Sequence, residues 1–247
     1  MISYITINDF EFRYNKVTDE YTLVQYFGNA YSPSLPDNIN GYNYKIGKFA
    51  FDGANIVSIV IPQGVTDIYF YAFRNCYRLL EIYNLSSLNI SAGSRDSYGE
   101  IKRYAITVHT SMDEPSVLIK QGDYYFYYNQ SQNSYYLFAY VGNDTEVILP
   151  DTINGYTYRI DYRAFISNTN IVSVTISDGV TEIASRAFEG CTNLTDAFFE
   201  LTTGWTRKGS SLNSDVVYES ADLADSKNAA TILKNLTYTG KPMIRSE

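Results

Sequence analysis

Apolar positions along residues 55–79, NIVSIVIPQGVTDIYFYAFRNCYRL, define a compact folding unit. Ile59 and Ile61 alternate with Ser58 and Val60, which predicts a short strand with one buried face, and Ile56 leads into it. Pro62 ends the strand because it has no N–H to give to a ladder. Gly64 permits a turn, Val65 and Ile68 go back inside, Ala72 and Phe73 close the turn, and Cys76 and Leu79 begin the next unit. Leu79 repeats Ile56 after 23 residues, and Ile82 repeats Ile59 at the same step. A fixed step of that size predicts a solenoid, in which each coil buries its apolar face against its neighbours. The pattern returns over residues 170–194, NIVSVTISDGVTEIASRAFEGCTNL.

A second periodicity lies above the first. Residues 9–14 and 21–26 alternate around the turn-prone NKVTDE and predict a hairpin. DYYFYYN at 123–129 mirrors DFEFRYN at 9–15 with an offset of 114. LPDTINGYTYRIDYR at 149–163 mirrors LPDNINGYNYKIGKF at 35–49, with nine of fifteen positions identical. Beyond Phe51 and Phe165 the offset becomes 115, through to Cys191. The chain therefore reads as a mainly β solenoid, residues 1–247, built from a duplicated hairpin-plus-repeat module: 1–116, then 117–200, then a cap at 201–247. Between the copies, Asp96 or Ser97 could start a short helix, Tyr104-Ala105 resembles the Ala-Phe corner, residues 106–110 read as a strand, and residues 111–116 are the candidate joint. Near the end, Asp225 or Ser226 N-caps an amphipathic helix whose apolar face is Ala229, Ala230, Leu233 and Leu236. With Trp205, that short helix is expected to cover the last coil's core.

Composition narrows the function classes. A formal net charge of −8 argues against a nucleic-acid backbone as partner, because a phosphate binder needs a basic face. The 25 tyrosines fit half-buried strands, where the ring packs and the hydroxyl reaches water, and they also suit a recognition surface. The two cysteines, Cys76 and Cys191, hold the same place in two copies of the repeat. Coils advancing about 4.8 Å each separate them by more than the ~7 Å a disulfide tolerates, so both are expected as buried free thiols. No apolar run reaches membrane-spanning length. The first residues lack the basic-then-apolar order of a secretory signal.

Catalytic chemistry is hard to assemble from these residues. His109 is the single histidine, and in the strand-like ITVHT it is expected to be structural. No nucleophile-elbow, zincin, phosphate-loop or CxxC motif occurs. Asn143-Asp144-Thr145 and Asp178-Gly179 read as turns first, and no acidic spacing supports a metal. No cofactor is expected. Alternation instead defines a candidate partner-binding face. If Ile59 and Ile61 point in, then Ser58, Val60, Glu81 and Tyr83 point out. In the second copy Ser173, Thr175, Asp196 and Phe198 do so, and Glu146 and Ile148 extend the face by one strand. The second candidate is the Tyr-rich hairpin of residues 124–128 with Tyr135, Tyr136, Phe138 and Tyr140.

The unit carried by Ile56, Ile59, Ile61, Pro62, Val65, Thr66, Ile68, Ala72, Phe73, Cys76 and Leu79 resembles the leucine-rich repeats of the BspA-like family, also called the Treponema pallidum type. The second copy carries it as Ile171, Val174, Ile176, Val180, Thr181, Ile183, Ala187, Phe188, Cys191 and Leu194. Ala54 and Asn168 stand where an earlier Cys would be, Ser177 replaces the proline, and the NGY insertions lengthen two coils. The resemblance implies a leucine-rich-repeat solenoid with no enzyme activity. It implies a bacterial cell-surface or secreted protein that adheres to a host or neighbouring-cell protein. Phe51, Phe73, Phe165 and Phe188 should stack as a spine, with Ala50, Ala72, Ala164 and Ala187 set where backbone passes too close for a larger side chain. The expected function is non-enzymatic protein–protein interaction or adhesion by a monomer without membrane insertion. The alternatives are a carbohydrate-binding module using the tyrosines and an intracellular scaffold or inhibitor.

Overall fold

Each coil bends into two short strands around a tight corner. Ser58–Ile61 is the first, with Ile59 and Ile61 buried and Ser58 and Val60 half-buried. Pro62 interrupts it, and Val65–Ile68 follows as a second strand with a ladder of its own. The inward-turning Val65 and Ile68 of the sequence reading are thus the two buried ends of a strand. Gly64 makes the corner possible: a Cβ there would lie 1.7 Å from the Asp37 carbonyl oxygen, and one at the equivalent Gly179 would lie 1.5 Å from that of Asp151. Only hydrogen fits in such a gap.

The structure, a computed structural model, describes residues 1–90, 98–103, 105–207, 215–236 and 242–246. It divides into two units, Met1–Val117 and Leu118–Glu247, each with its own buried core. In the first unit, strands Ile2–Ile7, Phe10–Asn15 and Glu20–Tyr26 form an antiparallel meander, and Glu20–Tyr26 continues in parallel to Tyr44–Ile46 and Val65–Ile68. Ser58–Ile61, Glu81–Asn84 and Thr107–His109 form a separate parallel sheet. The second unit repeats the plan. Ile119–Gln121, Tyr124–Asn129 and Ser134–Tyr140 lead into Tyr158–Ile160 and Val180–Ile183, while Glu146–Ile148, Ser173–Ile176 and Asp196–Phe199 make the parallel three-stranded sheet. The hairpins match the alternation in the sequence, whereas strand Ile2–Ile7, which precedes the first, is mostly exposed and lies outside it.

The two units agree in detail. Each hairpin has a register shift at the same place, Glu11/Phe12 and Tyr125/Phe126. Phe12 meets Tyr44 edge-on at 5.2 Å, and Phe126 meets Tyr158 at 5.1 Å. The hydroxyls of Tyr44 and Tyr158 donate to the carbonyls of Pro36 and Pro150, both at 2.7 Å. Phe51 stacks on Phe73 at 4.7 Å, and Phe165 on Phe188 at 4.6 Å, so the expected spine exists as one stacked pair in each unit. Tyr26 and Tyr140 prolong the two stacks.

The alanine of each corner has a backbone reason. The Phe51 N–H donates to the Ala72 carbonyl and the Phe165 N–H to that of Ala187, both at 2.8 Å. All four alanines are buried. The residue before each one, Phe49, Tyr71, Arg163 and Arg186, has φ between 59° and 65°. Such a left-handed residue without glycine is costly alone; here it turns the chain so that the Ala-Phe pair faces the core. The cysteine closes the same corner. Cys76 Sγ donates to the Phe51 carbonyl at 2.9 Å and Cys191 Sγ to the Phe165 carbonyl at 3.0 Å. Neither cysteine is in a disulfide, and both are buried.

The second unit ends in the expected cap, with additions. Helix Ser226–Lys234 buries Ala229, Ala230 and Leu233, and Leu236 beyond it is buried too. Asp225 is the N-cap, accepting from the N–H groups of Lys227 and Asn228. Trp205 packs edge-on against Phe199 at 5.5 Å. A short helix, Ser220–Ala224, precedes the main one, and Trp205–Arg207 and Met243–Arg245 add antiparallel strands beyond Val180–Ile183. These strands lack apolar alternation and escape a periodicity search. Thr107–His109 is a strand, inside the predicted 106–110. The capping role of Asp96 or Ser97 and the corner residue Tyr104 lie outside the described residues.

Candidate interaction surface

The parallel three-stranded sheet of the second unit gathers six of the predicted residues into two rows. Glu146, Ser173 and Asp196 are in register, and so are Ile148, Thr175 and Phe198. Neighbouring strands lie about 4.8 Å apart, so each row is a continuous line of side chains on the outward face. Val147, Val174 and Ala197, between the rows, point into the core. Ile148 is 69% exposed and Phe198 50%, with half-buried Thr175 between them. Two apolar side chains thus stand open in one line on the outward face. The acids flank the other row. Asp196 accepts from Ser226 Oγ at 2.6 Å, and this hydrogen bond, with a second from Thr195, holds its carboxyl below the usual range.

The corresponding sheet of the first unit is different. Ser58, Glu81 and Thr107 form one row, and Val60, Tyr83 and His109 the other. Ser58, Val60 and Tyr83 are half-buried. Glu81, expected to face solvent, is only 2% exposed. Alternation does send it outward, but the chain after His109 folds back over it. Its carboxylate accepts from Ser116 Oγ at 2.9 Å and from the Val117 N–H at 2.8 Å, and meets His109 Nε2 at 2.8 Å. Covering by a loop leaves no mark in strand periodicity, which is why the sequence misplaced Glu81.

His109 is buried and has a carboxylate at each ring nitrogen. Its second nitrogen, Nδ1, lies 3.2 Å from Glu114 Oε2, and its ring stacks on Tyr83 at 4.5 Å. With both nitrogens against carboxylates, neither is placed to activate a nucleophile. Glu114 also accepts from the N–H groups of Thr110 and Ser111. These bonds, the Thr110 N–H first and His109 next, stabilise the carboxylate and lower its pKa to about 2.

The Tyr-rich hairpin is mostly closed. Tyr127, Tyr136, Phe138 and Tyr140 are buried, with Tyr127 stacked on Tyr136 at 5.4 Å and donating to Asp161 at 2.8 Å. Tyr128 and Tyr135 stay accessible at its tip, beside Tyr156. Folding also brings Asp151, Asp178 and Glu200 together at an exposed corner, with ligand-capable oxygens within 4.8 Å of one another. Glu200 accepts from the Asp178 N–H at 3.0 Å, and the Arg245 guanidinium donates to the Asp178 carbonyl. Exposed carboxylates gather in this way without an ion. No helix among the described residues is long and apolar enough to cross a membrane.

A family model described as BspA type leucine rich repeat region matches residues 44–135 and 131–210 in 6 copies. No curated protein sequence matches the chain. Among solved structures, a leucine rich cell surface protein from Faecalibacterium prausnitzii is similar at 16% identity and a TM-score of 0.34, over 79% of this chain and 76% of that one. The leucine rich repeat protein of T. pallidum is similar at 20% identity and a TM-score of 0.32, over 80% and 84%. The pneumococcal vaccine antigen PcpA is similar at 13% identity and a TM-score of 0.33, over 79% and 69%.

Proposed function

The chain belongs to the BspA type leucine rich repeat family, and from that premise we propose that it is a non-enzymatic adhesion or interaction module whose ligand is another protein. The observation that carries this reading is the row Ile148–Thr175–Phe198, two exposed apolar side chains in register on a rigid sheet. Burying them on association supplies the apolar centre of an interface, and Glu146 and Asp196 supply an acidic rim. The partner is therefore a protein presenting an apolar patch beside basic residues. The net charge of −8 favours encounter with such a surface, most strongly at low salt.

A cell-surface or secreted location on a bacterium is part of the same proposal and follows from the family. Fractionation of native cells tests it; recovery only from the cytosol would move the reading to an intracellular scaffold. The binding proposal is tested by affinity capture with Ile148→Ser/Phe198→Ser against the unsubstituted chain. The expected result is loss of the captured protein, together with weaker capture as salt rises. Equal recovery by both chains discards this face.

A further inference from the structure

Separate from the outer sheet face, we infer that the second unit holds a binding site for a neutral saccharide at the tip of its Tyr-rich hairpin. A hollow of about 310 Å³ is lined by Tyr128, Asn133, Ser134, Tyr135, Tyr156 and Thr157. Its volume lies at the small end of ligand sites, suited to one or two sugar rings and too small to seat a folded protein's edge. Three rings frame it. Tyr135 lies 5.0 Å from Tyr128 and 5.7 Å from Tyr156, tilted against both at 58° and 33°. Tyr128 is 42% exposed and Tyr156 63%, so ring surface is open to a ligand at both sides of the hollow.

The lining chemistry selects the ligand class. A sugar ring has a C–H face that packs on an aromatic ring and a rim of hydroxyls that both donate and accept. The hollow offers aromatic faces together with an amide and three kinds of hydroxyl, and no lining residue is charged. An anionic sugar or a phosphate would find no cation. The groups are also held in place. Tyr128 Oη donates to Asn133 Oδ1, which fixes that amide and leaves its NH₂ to donate. Asn154 and Gly155 form the turn between Ile153 and Tyr156, with φ of 53° and 79°. This Asn-Gly turn, part of the insertion that lengthens the coil, carries Tyr156 to the rim.

The first unit supplies a comparison within the chain. Tyr14, Tyr21 and Tyr42 hold the same positions at the offset of 114. Tyr21 lies 4.6 Å from Tyr14 and 5.9 Å from Tyr42, and the Asn40-Gly41 turn carries Tyr42. There, however, Asp19 and Glu20 replace Asn133 and Ser134, Glu20 is paired with Lys45 at 2.6 Å, and Tyr21 is buried. The framework is common to both units, and the open, uncharged version is that of the second.

The test titrates the full chain with neutral tetrasaccharides built from glucose (α- and β-linked), mannose and N-acetylglucosamine, and with sialyllactose as the anionic probe. Saturation-transfer NMR detects binding and calorimetry measures it. At least one neutral probe is expected to bind. Tyr128→Ala and Tyr156→Ala should each weaken it by about tenfold or more, while Tyr156→Phe, which keeps the ring, should stay within about threefold of the original. Tyr4→Ala, at an exposed tyrosine elsewhere, should change nothing. Tyr156 is exposed, so Tyr156→Ala is expected to keep the thermal transition of the original chain, and that transition is measured alongside. The inference is overturned if no neutral probe binds, if binding survives both alanine substitutions, or if sialyllactose alone binds. It is equally overturned if Tyr156→Ala abolishes capture of a protein partner while no saccharide binds, since the tyrosines are then a protein contact.

Discussion

At the scale of single residues, the corner set Ala, Phe and Cys does most to fix each coil. Phe188 is buried and stacked on Phe165. Phe188→Ala should cost about 3–5 kcal/mol in denaturant unfolding; a loss below about 1 kcal/mol would remove the stack from the account. Burial pushes the Cys76 thiol up to about 12, so it stays protonated and unreactive in the native state. A thiol reagent should therefore modify Cys76 only as fast as the protein unfolds, with no reaction phase at neutral pH while folded. Glu114 gives a pH signature. Its pKa is depressed in the folded state to about 2, against about 4.3 for a free glutamate. The stabilisation it contributes is complete above pH ~4.3 and is lost as pH falls towards 2. Glu114→Gln should flatten the acid arm of the stability profile of the first unit; an unchanged arm would show that the loop over Glu81 is not held by this carboxylate.

At the scale of elements, turn chemistry and caps decide where strands stop. Gly179→Ala would drive a Cβ into the Asp151 carbonyl, and should cost about 1–3 kcal/mol by overpacking, measured by thermal or denaturant unfolding. Asp225→Ala removes the acceptor for two helix N–H groups and should cost about 0.5–2 kcal/mol. The apolar period showed the first strand of each well-formed coil, Ser58–Ile61 and Ser173–Ile176, both hairpins and the capping helix, because each puts side chains into the core at a regular interval; Val65–Ile68 and Val180–Ile183 were legible only as inward-turning residues. The period did not show Ile2–Ile7, whose residues are mostly exposed, nor Trp205–Arg207 and Met243–Arg245, which each bury one apolar residue, Trp205 and Met243, and are otherwise placed by their pairing with one another. Pairing of that kind depends on partners far away in the sequence, and no local pattern records it.

At the scale of the molecule, the duplication is written in the sequence and repeated in the geometry, down to the matching bonds of Tyr44 and Tyr158. The proposed interaction surface was only partly legible. Register placed Ile148, Thr175 and Phe198 in one row, as alternation implies. Glu81 failed because a later loop covers it, and the open trio Tyr128, Tyr135 and Tyr156 depends on a turn in a later loop that brings in Tyr156, 21 residues after Tyr135. The two units have since diverged: one outward face is roofed by the His109 loop, and the other presents its apolar row to solvent. The most direct test of that distinction is a photo-crosslinking residue at Thr175, compared with one at Thr107, the position on the roofed face in register with Glu81. With the captured partner present, Thr175 should crosslink to it and Thr107 should not. Crosslinking from Thr107 alone, or from neither position, would contradict the assignment of the interaction surface to the second unit's outer face.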